Sequence, residues 1–356
     1  MSHEQTYKTL GIGNSYGFCT LPEENTNSTA SNSMGPTFSY HEKVHNPRIY
    51  PFIELVILIY LHHHKNLIHT VINIQYSQKK NINMESCGEV ISLTLGDQGE
   101  NHVGMEKVGR MVAPGEGFSL SDFKKWRKFF KKAGYSVQVH YLNRLVGTQT
   151  VSPAGKDMED AYVMVVRGGV NYFLATIDKT DADLLEEMRT FEWDRKYFDT
   201  RRKKVLNKNA RANVCFGDES REPDYEAKKG RIVGYDACEC LATIKAGMAE
   251  VLGEKCGNLI CEGNRYFDLR KCGIGWHGDA ERRKVAAFRV GEDMDLHFNW
   301  FERHESFGAT LKLTLKSGDM YMMSEKAVGT DWKRSSIPTV RHSAGKPECK
   351  YVKLRR

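Results

Sequence analysis

Three residues in this 356-residue chain could together hold a metal ion. His277 and Asp279 stand in the segment Gly275-Trp276-His277-Gly278-Asp279, and His342 ends Val340-Arg341-His342. Two neutral imidazoles and one carboxylate make a 2-His-1-carboxylate donor set, which suits Fe(II). Three protein ligands on one face leave the opposite face open to a cosubstrate and O2. A His-x-Asp pair is weak evidence by itself, because the chain has 13 His and many carboxylates. Its spacing nevertheless has a physical reason. Residues two apart on a strand point to the same face, so both side chains reach one metal if they stand at a strand's end. The alternative is a surface loop in which Asp279 caps a helix beginning at Ala280-Glu281-Arg282-Arg283.

Such ligands need a β scaffold. From residue 190 onward strands prevail. A strand over Arg231 to Tyr235 precedes an amphipathic helix near Ala237 to Leu252, and the strands after 260 alternate with turns without a βαβ rhythm. Residues 84–190 read as a smaller α+β region. Strands are expected at Glu89 to Leu95 and at 135–143, and two more at Ala161 to Val166 and Tyr172 to Ile177, joined by Gly168-Gly169. Helices are expected over 121–133, capped by Ser121-Asp122 with Phe123, Trp126 and Phe130 toward the core, and over Asp181 to Met188. Residues 1–83 read as a low-order extension, with Gly, Asn, Ser and Thr dominating 11–36. Its apolar run Pro51 to Leu61 contains Glu54 and falls short of the roughly 20 residues that span a bilayer. No membrane partner is expected. The His62-His63-His64 run that follows reads as an unstructured tract.

The motifs fall in a particular order. Asn209 to Asp218 comes first, then Asn264-Arg265-Tyr266-Phe267, then Ile274 to Glu281 with the His-x-Asp pair. Gly318-Asp319 with Met320-Tyr321-Met322-Met323 follows, then Ile337 to His342, and finally the basic end Lys350 to Arg356. Over about residues 190–356 this order resembles the AlkB-like family of 2-oxoglutarate- and Fe(II)-dependent dioxygenases. The resemblance implies an α+β fold whose C-terminal half, 191–356, is a double-stranded β-helix (jelly roll) core with flanking helices. It implies Fe(II) on His277, Asp279 and His342, with O2 as a cosubstrate and ascorbate as the reductant in vitro. For 2-oxoglutarate it implies hydrogen bonds from Asn264 and Tyr266. It also implies a cation on the last strand, where Arg356 is the first choice and Lys350, six residues before it, the second. The family has Arg at both places, whose fork pairs bidentately with a carboxylate. Arg211, Asn213 and Phe216 would face the substrate by position, with Arg282 and Arg283 directly after the iron ligands. The implied activity is oxidative demethylation of alkylated nucleic-acid bases, as in DNA repair, on a base flipped out of its duplex.

Charge and cysteines bound the partners. Lys+Arg 52 against Asp+Glu 45 gives a net charge of +7, too little alone to imply nucleic acid. The cations cluster, however, in Lys124 to Lys132 and again from Arg195 to Arg211. Interleaved cations and aromatics can hold phosphates and stack bases, so DNA or RNA is the expected partner. For the first cluster an amphipathic helix with wet lysines is the favoured reading. Nine Cys without a Cys-x-x-Cys pair fit a reducing interior, cytoplasm or nucleus. Two other functions are compatible with these residues. One is the same oxygenase chemistry on a protein or small molecule. The other is a nucleic-acid-binding module with a degenerate iron site.

Overall fold

The computed structural model describes residues 88–345. The expected extension over 1–83, with Pro51 to Leu61 and His62-His63-His64, lies outside the described residues, as do Lys350 and Arg356. The fold is mixed α+β and dominated by antiparallel sheet. In chain order the first strands are β1 (Val90–Gly96), β2 (Gln98–Glu100), β3 (Lys107–Gly109), β4 (Val137–Tyr141) and β5 (Tyr162–Val166). Then come β6 (Lys196–Asp199), β7 (Lys204–Asn207), β8 (Ala212–Gly217), β9 (Ile232–Gly234) and β10 (Ile260–Tyr266). The last are β11 (Gly273–His277), β12 (Val285–Gly291), β13 (Met294–Glu302), β14 (Glu305–Leu315), β15 (Met320–Met323) and β16 (Thr339–Gly345).

Eight strands join in the order β4-β5-β15-β12-β1-β10-β8-β9, and four in the order β11-β16-β13-β14. β2 with β3 and β6 with β7 form separate hairpins. β1 lies near the middle of the larger sheet, antiparallel to β10 on one side and β12 on the other. Strand alternation explains why it can be buried on both faces. Ile91, Leu93 and Leu95 pack into a core beneath the helices, while Ser92 and Thr94 turn toward a cavity on the opposite face.

Two cores result. The first lies between the larger sheet and the helices Leu120–Lys132, Val170–Leu174, Asp181–Thr190 and Glu239–Leu252. The second joins the two sheets. Tyr266, Val285, Ala287 and Tyr321 from the larger sheet cluster with Leu296, Phe298, Trp300, Val340 and Ala344 from the smaller. Among the described residues no helix is long and apolar enough to cross a membrane. Cys215, Cys238, Cys240, Cys256, Cys261 and Cys272 are buried free thiols.

Three expectations need correction. Residues 84–190 do not form a separate region, because β1, β4 and β5 belong to the same sheet as β8, β9, β10, β12 and β15. Long-range pairing of β1 overrides the local division. Tyr172 to Ile177 is helical, not a strand: Val170–Leu174 is α and Ala175–Ile177 is 3-10. Gly168 turns the chain at φ +63. Val170, Phe173 and Leu174 then fall on one helical face and bury in the first core. Ser119, rather than Ser121, caps the helix Leu120–Lys132, with Asp122 accepting from the Ser119 backbone N–H at 2.9 Å. In that helix Phe123, Trp126 and Phe130 are buried while Lys124, Lys125, Arg127, Lys128, Lys131 and Lys132 are exposed.

Candidate metal centre

His277 ends β11 and stands opposite His342 of β16 in register, so strand pairing alone brings the two imidazoles together. Their ring centroids are 4.4 Å apart. Asp279 follows two residues later, and its backbone N–H donates to Val328 O at 3.0 Å. Its Oδ1 lies 3.6 Å from His277 Nε2 and 3.4 Å from His342 Nε2. One ligand atom from each of the three residues fits within 4.8 Å of the others.

The donor chemistry fits a cation at their centre. His277 Nδ1 is 2.7 Å from Gly275 O, a carbonyl that can only accept, so the ring proton sits on Nδ1. The Nε2 lone pair is then turned toward a carboxylate oxygen, acceptor against acceptor. A divalent metal resolves that opposition, and the carbonyl fixes the tautomer. Burial, reinforced by His342, pushes the His277 imidazole down to about 3, so it is neutral and ready to ligate. Burial works to raise the Asp279 carboxyl, but Arg282 and the two imidazoles outweigh it and hold Asp279 well below the usual carboxylate range.

Behind Asp279 lies a buried ion cluster. Arg282 meets Glu262, donates to Glu281 at 2.8 Å and has its Nε 3.6 Å from Asp279 Oδ2. The Arg282 side chain is 4% exposed. This ties the carboxylate ligand to the sheet through Glu262 of β10.

The loop holding Asp279 is also set by close approach. A Cβ on Gly278 would lie 2.2 Å from Gly329 O, a contact real Cβ atoms do not make. Gly329 itself sits at φ +72, where side chains are disfavoured. Gly278→Ala should therefore shift Asp279 and weaken Mn(II) binding by roughly 10- to 100-fold with the fold retained. Calorimetric titration of Mn(II) into the variant checks this, and unchanged affinity refutes it.

His277, Asp279 and His342 open on a cavity of about 440 Å³ between the sheets. Asn264 and Tyr266 line it, and so does Arg211, whose Nε donates to Asn264 Oδ1 at 2.6 Å. Asn213, Phe216 and Arg283 do not line it, which corrects three of the substrate expectations. Asn213 is fully buried and donates to the same Asn264 oxygen at 2.6 Å, so it supports the wall without lining it. Phe216 faces the first core, against Phe191 and Trp193. Its parity along β8 is opposite to that of Arg211 and Asn213. Arg282 does line the cavity, with its guanidinium held by the ion cluster. Arg283 turns away, donating to Val112 O at 3.1 Å and pairing with Glu325 at 3.3 Å.

Several lining residues escaped the sequence reading. Ser92, Glu262, Arg289 and Tyr321 face the interior, and His102, Val103, Trp332 and Lys333 contribute near the opening. His102 stacks on Tyr197 of β6, with centroids 3.8 Å apart. For Arg289 a signal existed: it is a lone charge in the apolar strand Val285-Ala286-Ala287-Phe288-Arg289-Val290.

No family model matches the sequence. The chain is 38% identical over 262 residues to "Uncharacterized protein R156" of Acanthamoeba polyphaga mimivirus. That alignment covers 74% of this chain and 98% of the viral protein.

Proposed function

The chain belongs to the family of this mimivirus protein, and from the geometry of its site we propose that it is an Fe(II)- and 2-oxoglutarate-dependent dioxygenase. The observation that carries the proposal is the convergence of His277, Asp279 and His342 on one wall of a cavity between two antiparallel sheets. Sheet order supports a jelly roll for the core. β11-β16-β13-β14 faces β10-β1-β12-β15, the middle of the larger sheet, across the second core. Seven of these eight strands run in sequence from β10 to β16, and β1 takes the eighth place.

Bound iron would supply the O2 chemistry that couples 2-oxoglutarate decarboxylation to hydroxylation of a C–H bond. The protein's residues do the rest. His277 presents a neutral nitrogen beside the His342 imidazole, and Asp279 presents its charge, oriented by Arg282. Asn264 and Tyr266 hold the cosubstrate by hydrogen bonds. Burial of Tyr266 keeps its phenol protonated, hence a donor. The two sheets exclude water from the reacting atoms.

The substrate class we propose is an alkylated nucleic-acid base, whose hydroxylated N-alkyl carbon would leave as an aldehyde. In support, the β6–β7 hairpin reaches the opening through the Tyr197–His102 stack, and Arg201, Arg202 and Lys203 of its turn are exposed with Lys204 at the start of β7. Such a turn suits a phosphate backbone. The test is succinate production by anaerobically purified full-length protein with Fe(II), ascorbate and 2-oxoglutarate. Methylated DNA and RNA oligonucleotides would be compared with methylated peptides. Stimulation by an oligonucleotide is expected. Stimulation by peptides alone would move the substrate to protein. Salt-sensitive oligonucleotide binding by iron-loaded protein that makes no succinate would replace the enzyme with a binding module.

A further inference from the structure

Arg289 is 1% exposed, and among the described residues it has no carboxylate partner. One nitrogen, Nη1, donates to Met294 O at 2.7 Å, while Nε is buried with no hydrogen-bond partner. A guanidinium so placed is costly unless an anion joins it. It lines the same cavity as the metal-binding triad.

Its neighbours are donors. Arg289 stands opposite Ser92 in register, and Ser92 stands opposite Asn264. The three therefore form a row across β12, β1 and β10. Arg289 and Tyr321 are both close enough to act on the buried Tyr266 phenol. The other cavity cations are engaged or remote. Arg282 is held by three carboxylates and Arg211 by Asn264. Lys333, which adjoins Trp332, and Lys107 of β3 are both exposed.

Depth also matches. On β16, Ala344 lies two residues beyond His342 on the same face, about 7 Å along the strand. Ala344 pairs with Leu296, two residues from the Met294 carbonyl that Arg289 touches. Arg289 thus lies beyond His277, Asp279 and His342 along the strands, on the wall of the same cavity.

We propose that Arg289 is the residue that binds the far carboxylate of 2-oxoglutarate. This rests on the dioxygenase reading and replaces the cation expected on a last strand. The place beside β10 and β12 is held by β1, whose cavity-facing Ser92 and Thr94 carry no charge. The cation comes instead from the adjoining strand, β12. The guanidinium fork meets the carboxylate, Ser92 and Tyr321 flank it, and the 2-oxo acid end turns toward His277, Asp279 and His342.

Calorimetry on the full-length Mn(II)-loaded protein tests this without turnover. The probes are 2-oxoglutarate and 2-oxobutyrate, which lacks the far carboxylate. Wild type should favour 2-oxoglutarate. Arg289→Met should weaken it by roughly a hundredfold or more while leaving 2-oxobutyrate unchanged, and Arg289→Lys should recover part. A Lys350→Ala/Arg356→Ala double variant should bind as wild type does. If Arg289→Met fails to fold, the double variant still decides, because loss of diacid preference there overturns the assignment. So does Arg289→Met that binds 2-oxoglutarate normally. Wild type that binds both acids equally overturns the Arg289 role and leaves the metal reading intact. Wild type that takes up neither Mn(II) nor either acid overturns both.

Discussion

Arg282→Met is expected to destabilise the protein by about 3–5 kcal/mol at neutral pH. Arg282 is enclosed by Glu262, Glu281 and Asp279, and its side chain is 4% exposed. Methionine fills a similar volume but leaves three carboxylates facing one another away from water. The deficit should depend on pH with a definite sign. Burial already raises Glu281, with Arg282 opposing that rise. Without Arg282, Glu281 loses that opposition and titrates further above its unfolded value, so at this site the native variant binds more protons than the unfolded chain. Its stability then increases as pH falls from neutral toward the carboxylate range, and the gap to wild type narrows. Urea denaturation of both proteins at pH 7 and pH 5 measures this. A gap that stays constant or widens on acidification would mean that the cluster is not the source of the loss.

Asp279→Ala should leave stability nearly intact and abolish metal binding. Arg282 keeps Glu262 and Glu281, so no buried cation is stranded. The two imidazoles lose the only anionic member of their set. The fall in iron affinity should exceed the roughly 10- to 100-fold that loss of an outer partner causes. Succinate production should fall with it. Iron content after desalting, thermal melting and succinate yield, measured on one preparation, separate metal loss from unfolding. Retention of stoichiometric iron by this variant would remove Asp279 from the ligand set.

The triad was legible because His277 ends a strand with Asp279 two residues beyond it, and the third member stands within a recognisable strand, Thr339–Gly345. The helix Leu120–Lys132 was legible from its aromatic stripe. What escaped was non-local. Nothing within Val90 to Gly96 tells that it pairs with both β10 and β12, so residues 84–190 read as a unit of their own. Arg289 escaped for the related reason that its value lies in what faces it across the sheets. Phe216 was placed at the substrate by motif position, although its parity against Arg211 and Asn213 already pointed it to the opposite face.

The central position of β1 also orders the life of the chain before it is finished. Synthesis delivers this strand early, while β10 and β12, its partners on either side, emerge only after most of the domain has been made. Until then both of its edges and its Ile91-Leu93-Leu95 face lack their native cover. Closing the larger sheet requires joining segments distant in sequence, which makes such a sheet slow to form and exposed to aggregation meanwhile. A nascent chain released before β12 would carry a sheet open at its middle, and would be a natural client for chaperones.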